Sequence, residues 1–81
     1  MDLSHFDGKR IAIVMQFANV HRVIRGLASY VNLADSTNIM RIAPEEPSPG
    51  NPEFVIDEQK WDGHIVPDDR YGCDFQLELN G

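Results

Sequence analysis

The longest unbroken apolar run of this 81-residue chain is Ile11-Ala12-Ile13-Val14-Met15. Three of the five residues are β-branched, and polar residues flank the run on both sides. A run without polar alternation is typical of a strand that is covered on both faces, as in the middle of a parallel sheet. It therefore predicts a buried strand, and in a parallel sheet a helix is expected to follow it.

The next segment carries apolar residues at helical spacing. Asn19 is suited to cap a helix, and the stretch over residues 20–31 supplies one apolar stripe. Gly26 lies inside that stretch, which indicates close backbone approach between the helix and the sheet. The stripe consists of Val20, Val23, Ile24, Leu27 and Val31. We therefore expect the first helix over these residues.

Three further segments extend the alternation of strands and helices. Residues 38–43 are predicted as a second strand at a sheet edge, and residues 64–66 as a third strand. The proline-rich stretch over residues 44–52 predicts an exposed loop. Residues 54–60 are predicted as a short second helix, although the alternation of Phe54 with Ile56 also fits a strand. The order β-α-β-α-β is typical of an α/β fold, a mainly parallel sheet flanked by helices in a two- or three-layer sandwich.

The end of the chain follows a different pattern. Phe75, Leu77 and Leu79 alternate with polar residues, which is typical of a strand with one apolar face. This tail is a possible extra strand, which either joins the edge of the sheet within the chain or pairs with another chain. Residues 1–81 are thus expected to form a single α/β domain.

The charge of the chain excludes several partners. Seven Lys and Arg residues stand against thirteen Asp and Glu residues, a formal net charge of −6. Such a chain repels phosphate backbones and anionic lipid, so neither nucleic acid nor a membrane is expected as a partner. No apolar run approaches the roughly 20 residues of a membrane span. The single cysteine excludes an internal disulfide. We expect a soluble cytoplasmic chain.

Two stretches resemble the effector domain of xylose-operon regulators. The first covers residues 9–30 and includes Ile24-Arg25-Gly26-Leu27-Ala28-Ser29-Tyr30, and the second is Lys60-Trp61-Asp62-Gly63-His64-Ile65-Val66-Pro67-Asp68-Asp69. The resemblance spans residues 9–70, whereas the tail over residues 71–81 diverges. It implies the opening part of a lobe similar to lactose repressor and periplasmic binding proteins. The implied function is sugar sensing in a transcription regulator, in a fragment or truncated product without the DNA-binding domain.

In open α/β sheets, ligands bind beyond the carboxyl ends of the strands. That rule selects polar and aromatic residues after each predicted strand. Carboxylates and amides suit the hydroxyl groups of a pentose-like sugar, and the ring of Phe17 suits the face of a sugar. The predicted ligand-binding residues are Gln16, Phe17, Asn19, Asp68 and Asp69, with Pro44 and Glu45 after the second strand.

Other chemistry has no support in the spacing of reactive residues. The histidines and Cys73 show no metal-ligand interval, and no glycine-rich phosphate loop follows the first strand. No nucleophile and base can be paired from the sequence, so we expect neither metal, cofactor nor enzymatic activity. The alternative function is a stand-alone interaction module without a small-molecule ligand. It would form a homodimer through the first helix or the tail strand.

Overall fold

A computed structural model describes residues 2–33, 35–46, 53–61 and 64–80 of the chain. A 3-10 turn at Ser4–Phe6 precedes six strands that form one mixed sheet. The strands are β1 (Arg10–Phe17), β2 (Val20–Asn32), β3 (Asn38–Pro44), β4 (Phe54–Asp57), β5 (Ile65–Pro67) and β6 (Phe75–Asn80). Their order across the sheet is β4-β3-β2-β1-β6-β5.

The predicted α/β sandwich is wrong, and its first helix is the long strand β2. A two-residue turn, in which Ala18 has a φ of 47°, returns the chain directly along β1. The register runs from Arg10 opposite Leu27 to Phe17 opposite Val20. A connection this short favours an antiparallel hairpin, because a crossover helix needs a longer linker. The described part of the chain holds no α-helix, and thus none long and apolar enough to cross a membrane.

The prediction of a buried strand at residues 11–15 is confirmed by β1. This strand lies between β2 and β6, and its residues from Ile11 to Val14 are at most 4% exposed. Its only parallel neighbour among the described strands is β6, because the other four pairings of the sheet are antiparallel. On the outer face, Ala12 lies between the longer side chains of Arg25 and Gln76. A fully apolar strand is therefore buried here without flanking helices.

The remaining predicted segments have mixed outcomes. Residues 38–43 form a strand, β3, but it lies between β2 and β4 and not at an edge. The second helix over residues 54–60 is wrong, since Phe54–Asp57 is edge strand β4, as the alternation of Phe54 with Ile56 allowed. The third strand is confirmed as β5, which pairs antiparallel with β6. The predicted loop over residues 44–52 lies partly outside the described residues.

The tail strand is an interior strand of the sheet. β6 pairs with β1 along Phe75–Asn80 on one side and with β5 on the other. Leu77 is fully buried. The extra strand of the sequence prediction is therefore confirmed, but it completes this chain's own core.

Strand β2 joins two halves of the sheet. Its residues 20–27 pair with β1, and its residues 26–32 pair with β3. Gly26 lies at the changeover, where a Cβ atom would stand 2.6 Å from the carbonyl oxygen of Ala43. The close approach expected at Gly26 thus exists, but between two strands. Side chains from both halves and from Leu3 meet in one core, which comprises Leu3, Ile11, Ile13, Ala28, Met40, Ile42, Ile56 and Leu77.

Candidate functional site

The structure separates the predicted ligand-binding residues into two groups. Gln16 and Phe17 end β1 and Asn19 lies in the following turn, whereas Asp68 and Asp69 lie near the start of β1. The link to the start of β1 runs through Asp74, whose N–H donates to the Arg10 carbonyl and whose carbonyl accepts from Asp68. The eight residues of β1 span about 23 Å, so the two groups of predicted residues lie at opposite ends of this strand. The rule that grouped these residues applies to parallel strands, so it has no basis in this sheet.

Pro44 and Glu45 lie at the same end as Asp68. The Glu45 carboxylate accepts a hydrogen bond of 2.6 Å from Nε of Arg10, and the Glu45 N–H donates to the Arg25 carbonyl. Arg10 also donates to the carbonyl of Gly72 at 2.7 Å. These contacts join the end of β3, the start of β1 and the turn before β6. They are structural ties between loops.

Asp68 organises its own loop. Its carboxylate accepts backbone hydrogen bonds from Arg70, Tyr71 and Cys73, the last at 2.8 Å. Burial raises the pKa of Asp68, but the three N–H donors outweigh burial and hold its pKa below the ordinary value. A carboxylate that is used in this way has little acceptor capacity left for sugar hydroxyls. Its neighbour Asp69 is exposed.

A second polar cluster was not found from the sequence. Oε2 of Glu58 accepts the N–H of Leu3 at 2.7 Å and the hydroxyl of Tyr30 at 2.9 Å, while Oε1 accepts from the Asn38 amide at 3.2 Å. The Leu3 N–H has the largest effect on the pKa of Glu58, and with Tyr30 and Asn38 it lowers that pKa despite burial. The four residues are far apart in sequence, so no local pattern marks them. Their arrangement holds the N-terminal turn against the sheet.

The described residues contain no group of three or more His, Cys, Asp or Glu side chains arranged to hold a metal ion. Cys73 is half-buried, and burial raises the pKa of its thiol. A thiol with a raised pKa is mostly protonated at neutral pH and is a poor nucleophile. The arrangement of these residues thus offers no support for metal or thiol chemistry.

The most distinctive feature is an apolar pocket of about 240 Å³ on the core face of the sheet. It opens where β3 leaves β2, between side chains of the β1–β2 hairpin and those of β3 and β4. Six of its lining residues are apolar, and the seventh is Arg22. The lining residues are Ile13, Met15, Arg22, Ile24, Ile42, Pro44 and Phe54. Because they come from four strands, only the tertiary fold brings them together.

The pocket is smaller than the usual range of about 300–1,000 Å³ for sites of drug-sized ligands. Its volume suits one ring or one branched apolar side chain. Ile24, Met15 and Phe54 remain half-exposed beside it, so their apolar surface is available to an occupant.

Comparison of the chain with models of known families, with curated proteins and with solved structures gives no match. The resemblance to xylose-operon regulators therefore stays a prediction from the sequence.

Proposed function

We propose that this chain is a binding module whose pocket on the core face accepts one apolar group of a ligand or partner. The observation that carries the proposal is the 240 Å³ space lined by six apolar side chains. An occupant that covers these side chains removes apolar surface from water, which is favourable by about 25 cal/mol per Å². Arg22 at the same pocket supplies a charged group that orients the occupant.

The sugar-sensing alternative has less geometric support. It was inferred from parallel strands whose carboxyl ends meet at one edge, and the sheet lacks that arrangement. Asp68, its main acceptor, is engaged by three backbone N–H groups. An apolar pocket also lacks the density of hydrogen-bonding groups that a sugar requires.

Homodimerisation through the tail strand has no open edge to use, because β6 is paired on both sides within the chain. The first helix, its other predicted interface, is strand β2. A binding pocket for a separate partner therefore agrees better with the geometry than a self-associating module does.

Toluene and D-xylose are suitable probes for testing this proposal. Their titration is followed in a two-dimensional amide and methyl spectrum of the full chain. Toluene is expected to shift the methyl signals of Ile13, Ile24 and Ile42 saturably, and D-xylose to leave them unchanged. Shifts with D-xylose, or none with toluene, would overturn the proposal.

A pair of variants on one strand sharpens the test. Ile24→Trp places a large side chain in the pocket and is expected to abolish the saturable toluene shifts. Leu27→Trp lies on the same strand but on the outer face, where Leu27 is 49% exposed, and is expected to bind toluene as the parent chain does. Equal toluene binding by both variants would place the occupied site elsewhere.

A further inference from the structure

Two side chains of the apolar pocket belong to types that interact favourably with aromatic rings. Met15 of β1 and Phe54 of β4 both line the pocket, and both remain half-exposed. Strands β2 and β3 lie between β1 and β4 in the sheet, so Met15 and Phe54 stand at opposite sides of the pocket. Ile24 and Ile42, which also line it, belong to the two strands in between.

These two side chains distinguish an aromatic occupant from an aliphatic one. A thioether sulfur makes favourable contacts with the edge of an aromatic ring, and two aromatic rings prefer offset-stacked or edge-to-face arrangements. The chain contains one such pair in its core, since the rings of Phe6 and Phe75 lie 4.9 Å apart, edge to face. A saturated group of the same size gains burial but not these contacts. The lining of the pocket therefore favours an aromatic ring.

The volume of the pocket fits a small aromatic molecule. A dry protein cavity of about 150 Å³ with an apolar lining is enough to bind benzene. The pocket has about 240 Å³, which leaves room for one ring with a short substituent.

The lining also selects against charged ligands. Six of the seven lining side chains are apolar, and the seventh, Arg22, already has another interaction within the chain. Neither an anion nor a cation thus finds an unengaged partner among these side chains. Because burial of an unpaired charge is costly, the occupant is expected to be uncharged.

We infer that the ligand of the pocket is a free, uncharged aromatic molecule of one ring, held between Met15 and Phe54. This inference rests on the proposed function and names the class of its ligand. An aromatic side chain of a partner protein brings backbone N–H and C=O groups to the pocket, and these groups need hydrogen-bond partners when water is displaced. The lining offers no polar side chain besides the engaged Arg22, so a free molecule suits it better.

Five probes test the inference in the full chain. Toluene is compared with methylcyclohexane, which has the same carbon skeleton without the aromatic ring. Benzoate and benzylammonium carry a negative and a positive charge on the same ring. N-acetylphenylalanine amide represents an aromatic side chain with its peptide groups. Dissociation constants are measured from the methyl shifts of Ile13, Ile24 and Ile42.

The decisive quantity is the preference for toluene over methylcyclohexane, compared between parent and variants so that the difference in transfer from water cancels. Met15→Leu and Phe54→Leu keep an apolar side chain and are each expected to lower this preference by about two- to tenfold. Met40→Leu and Phe75→Leu make the same changes at core residues outside the pocket lining and are expected to leave it unchanged. The amide spectrum of each variant verifies that it is folded.

Benzoate, benzylammonium and N-acetylphenylalanine amide are each expected to bind about tenfold or more weakly than toluene. An unchanged preference in either pocket variant, or an equal fall in the matched core variant, would overturn the aromatic ligand and leave the proposed function standing, since toluene still binds. Tighter binding of either charged ring than of toluene would overturn the uncharged ligand. Tighter binding of N-acetylphenylalanine amide would identify a partner side chain as the occupant and overturn the free molecule. Absence of saturable toluene binding to the parent chain would overturn the proposed function itself.

Discussion

Glu58 and Leu3 are 55 positions apart in the sequence, and the Leu3 N–H donates a hydrogen bond of 2.7 Å to the Glu58 carboxylate. Leu3 is fully buried in the core, so this bond holds the 3-10 turn at Ser4–Phe6 against the sheet. The hydroxyl of Tyr30 donates to the same carboxylate from β2. One side chain after β4 thus joins Leu3, just before the 3-10 turn, to strand β2 at the centre of the sheet.

Glu58→Gln is expected to lower the midpoint of urea unfolding. The amide that replaces the carboxylate places its own N–H donors beside the N–H groups of Leu3 and Asn38 and the hydroxyl of Tyr30. It also removes the negative charge that strengthens their hydrogen bonds. Exchange of the Leu3 amide hydrogen is expected to accelerate more than exchange in β1. Glu78→Gln, at an exposed position of β6, serves as the control, and an equal effect of both substitutions would contradict this role of Glu58.

Gly26→Ala is expected to destabilise the fold by about 1–3 kcal/mol, as overpacking of a tight site does. The added Cβ would lie 2.6 Å from the Ala43 carbonyl oxygen and 2.7 Å from Cγ2 of Ile42. Because one of these atoms is backbone, β2 and β3 must move apart to relieve the contact. Ser29→Ala, an exposed position on the same strand, is expected to change the free energy of unfolding by less than about 0.5 kcal/mol. Wild-type stability of the Gly26 variant in urea would disprove the close approach.

Leu77→Ala tests whether the tail belongs to the core. Leu77 is fully buried in β6, and truncation of such a side chain costs about 2–5 kcal/mol. A small domain has little stability to lose, so we expect partial unfolding at 37 °C by circular dichroism. Glu78→Ala is the neighbouring exposed control. A Leu77 variant as stable as this control would mean that β6 is not an integral strand.

Asp68→Ala and Asp69→Ala form a matched pair on neighbouring residues. Asp68 holds the N–H groups of Arg70, Tyr71 and Cys73, whereas Asp69 is exposed. Alanine at Asp68 is expected to increase amide exchange through residues 70–74 and to lower the unfolding midpoint. Alanine at Asp69 is expected to leave both unchanged, and equal behaviour of the two variants would show that the loop does not depend on the Asp68 carboxylate.

The stability of the chain is expected to fall at both ends of the pH range. The pKa of Glu58 lies below the ordinary glutamate value of 4.5 in the fold, so its stabilisation is complete above that value and is lost as the pH falls through the folded pKa. Burial, and then the Glu58 carboxylate, raise the pKa of Tyr30 above the ordinary value of 10.0. Its contribution is present below that value and is lost as the pH rises through the folded pKa.

Urea midpoints measured from pH 3 to pH 11 check this profile, and Tyr30→Phe serves as the control on the alkaline side. The variant is expected to lose part of the decline above pH 10. A decline of equal depth in parent and variant would assign the alkaline loss to other groups.

Part of the fold could be predicted from local sequence. The run from Ile11 to Met15 is long enough and apolar enough to indicate a buried strand, and the alternation at Phe75, Leu77 and Leu79 indicates a strand with one buried face. Both predictions are confirmed by β1 and β6. A strand can be predicted from local sequence alone where apolar and polar residues alternate strictly, or where a short run has no polar residue.

The segment over residues 20–31 shows why the other predictions failed. Its apolar residues match a helical stripe, but Ile24, Ala28 and Tyr30 also match the core-facing positions of a strand. Over twelve residues, the helical spacing and the alternation of a strand share so many positions that the apolar pattern fits both structures. This segment is a strand because the turn at Ala18 and Asn19 returns it to pair with β1. The wrong helix prediction led in turn to the wrong strand directions and to the wrong grouping of site residues.

What the amino-acid sequence determined by itself is a small acidic chain with one buried central strand and an amphipathic tail strand, because burial of apolar runs is a local requirement. Only the tertiary structure decided the direction of the neighbouring strands, the close approach of β2 and β3 at Gly26, the convergence of Leu3, Tyr30 and Asn38 on Glu58, and the apolar pocket on the core face of the sheet. These features depend on hydrogen bonds and contacts between residues distant in sequence, and such contacts form only when the whole sheet assembles.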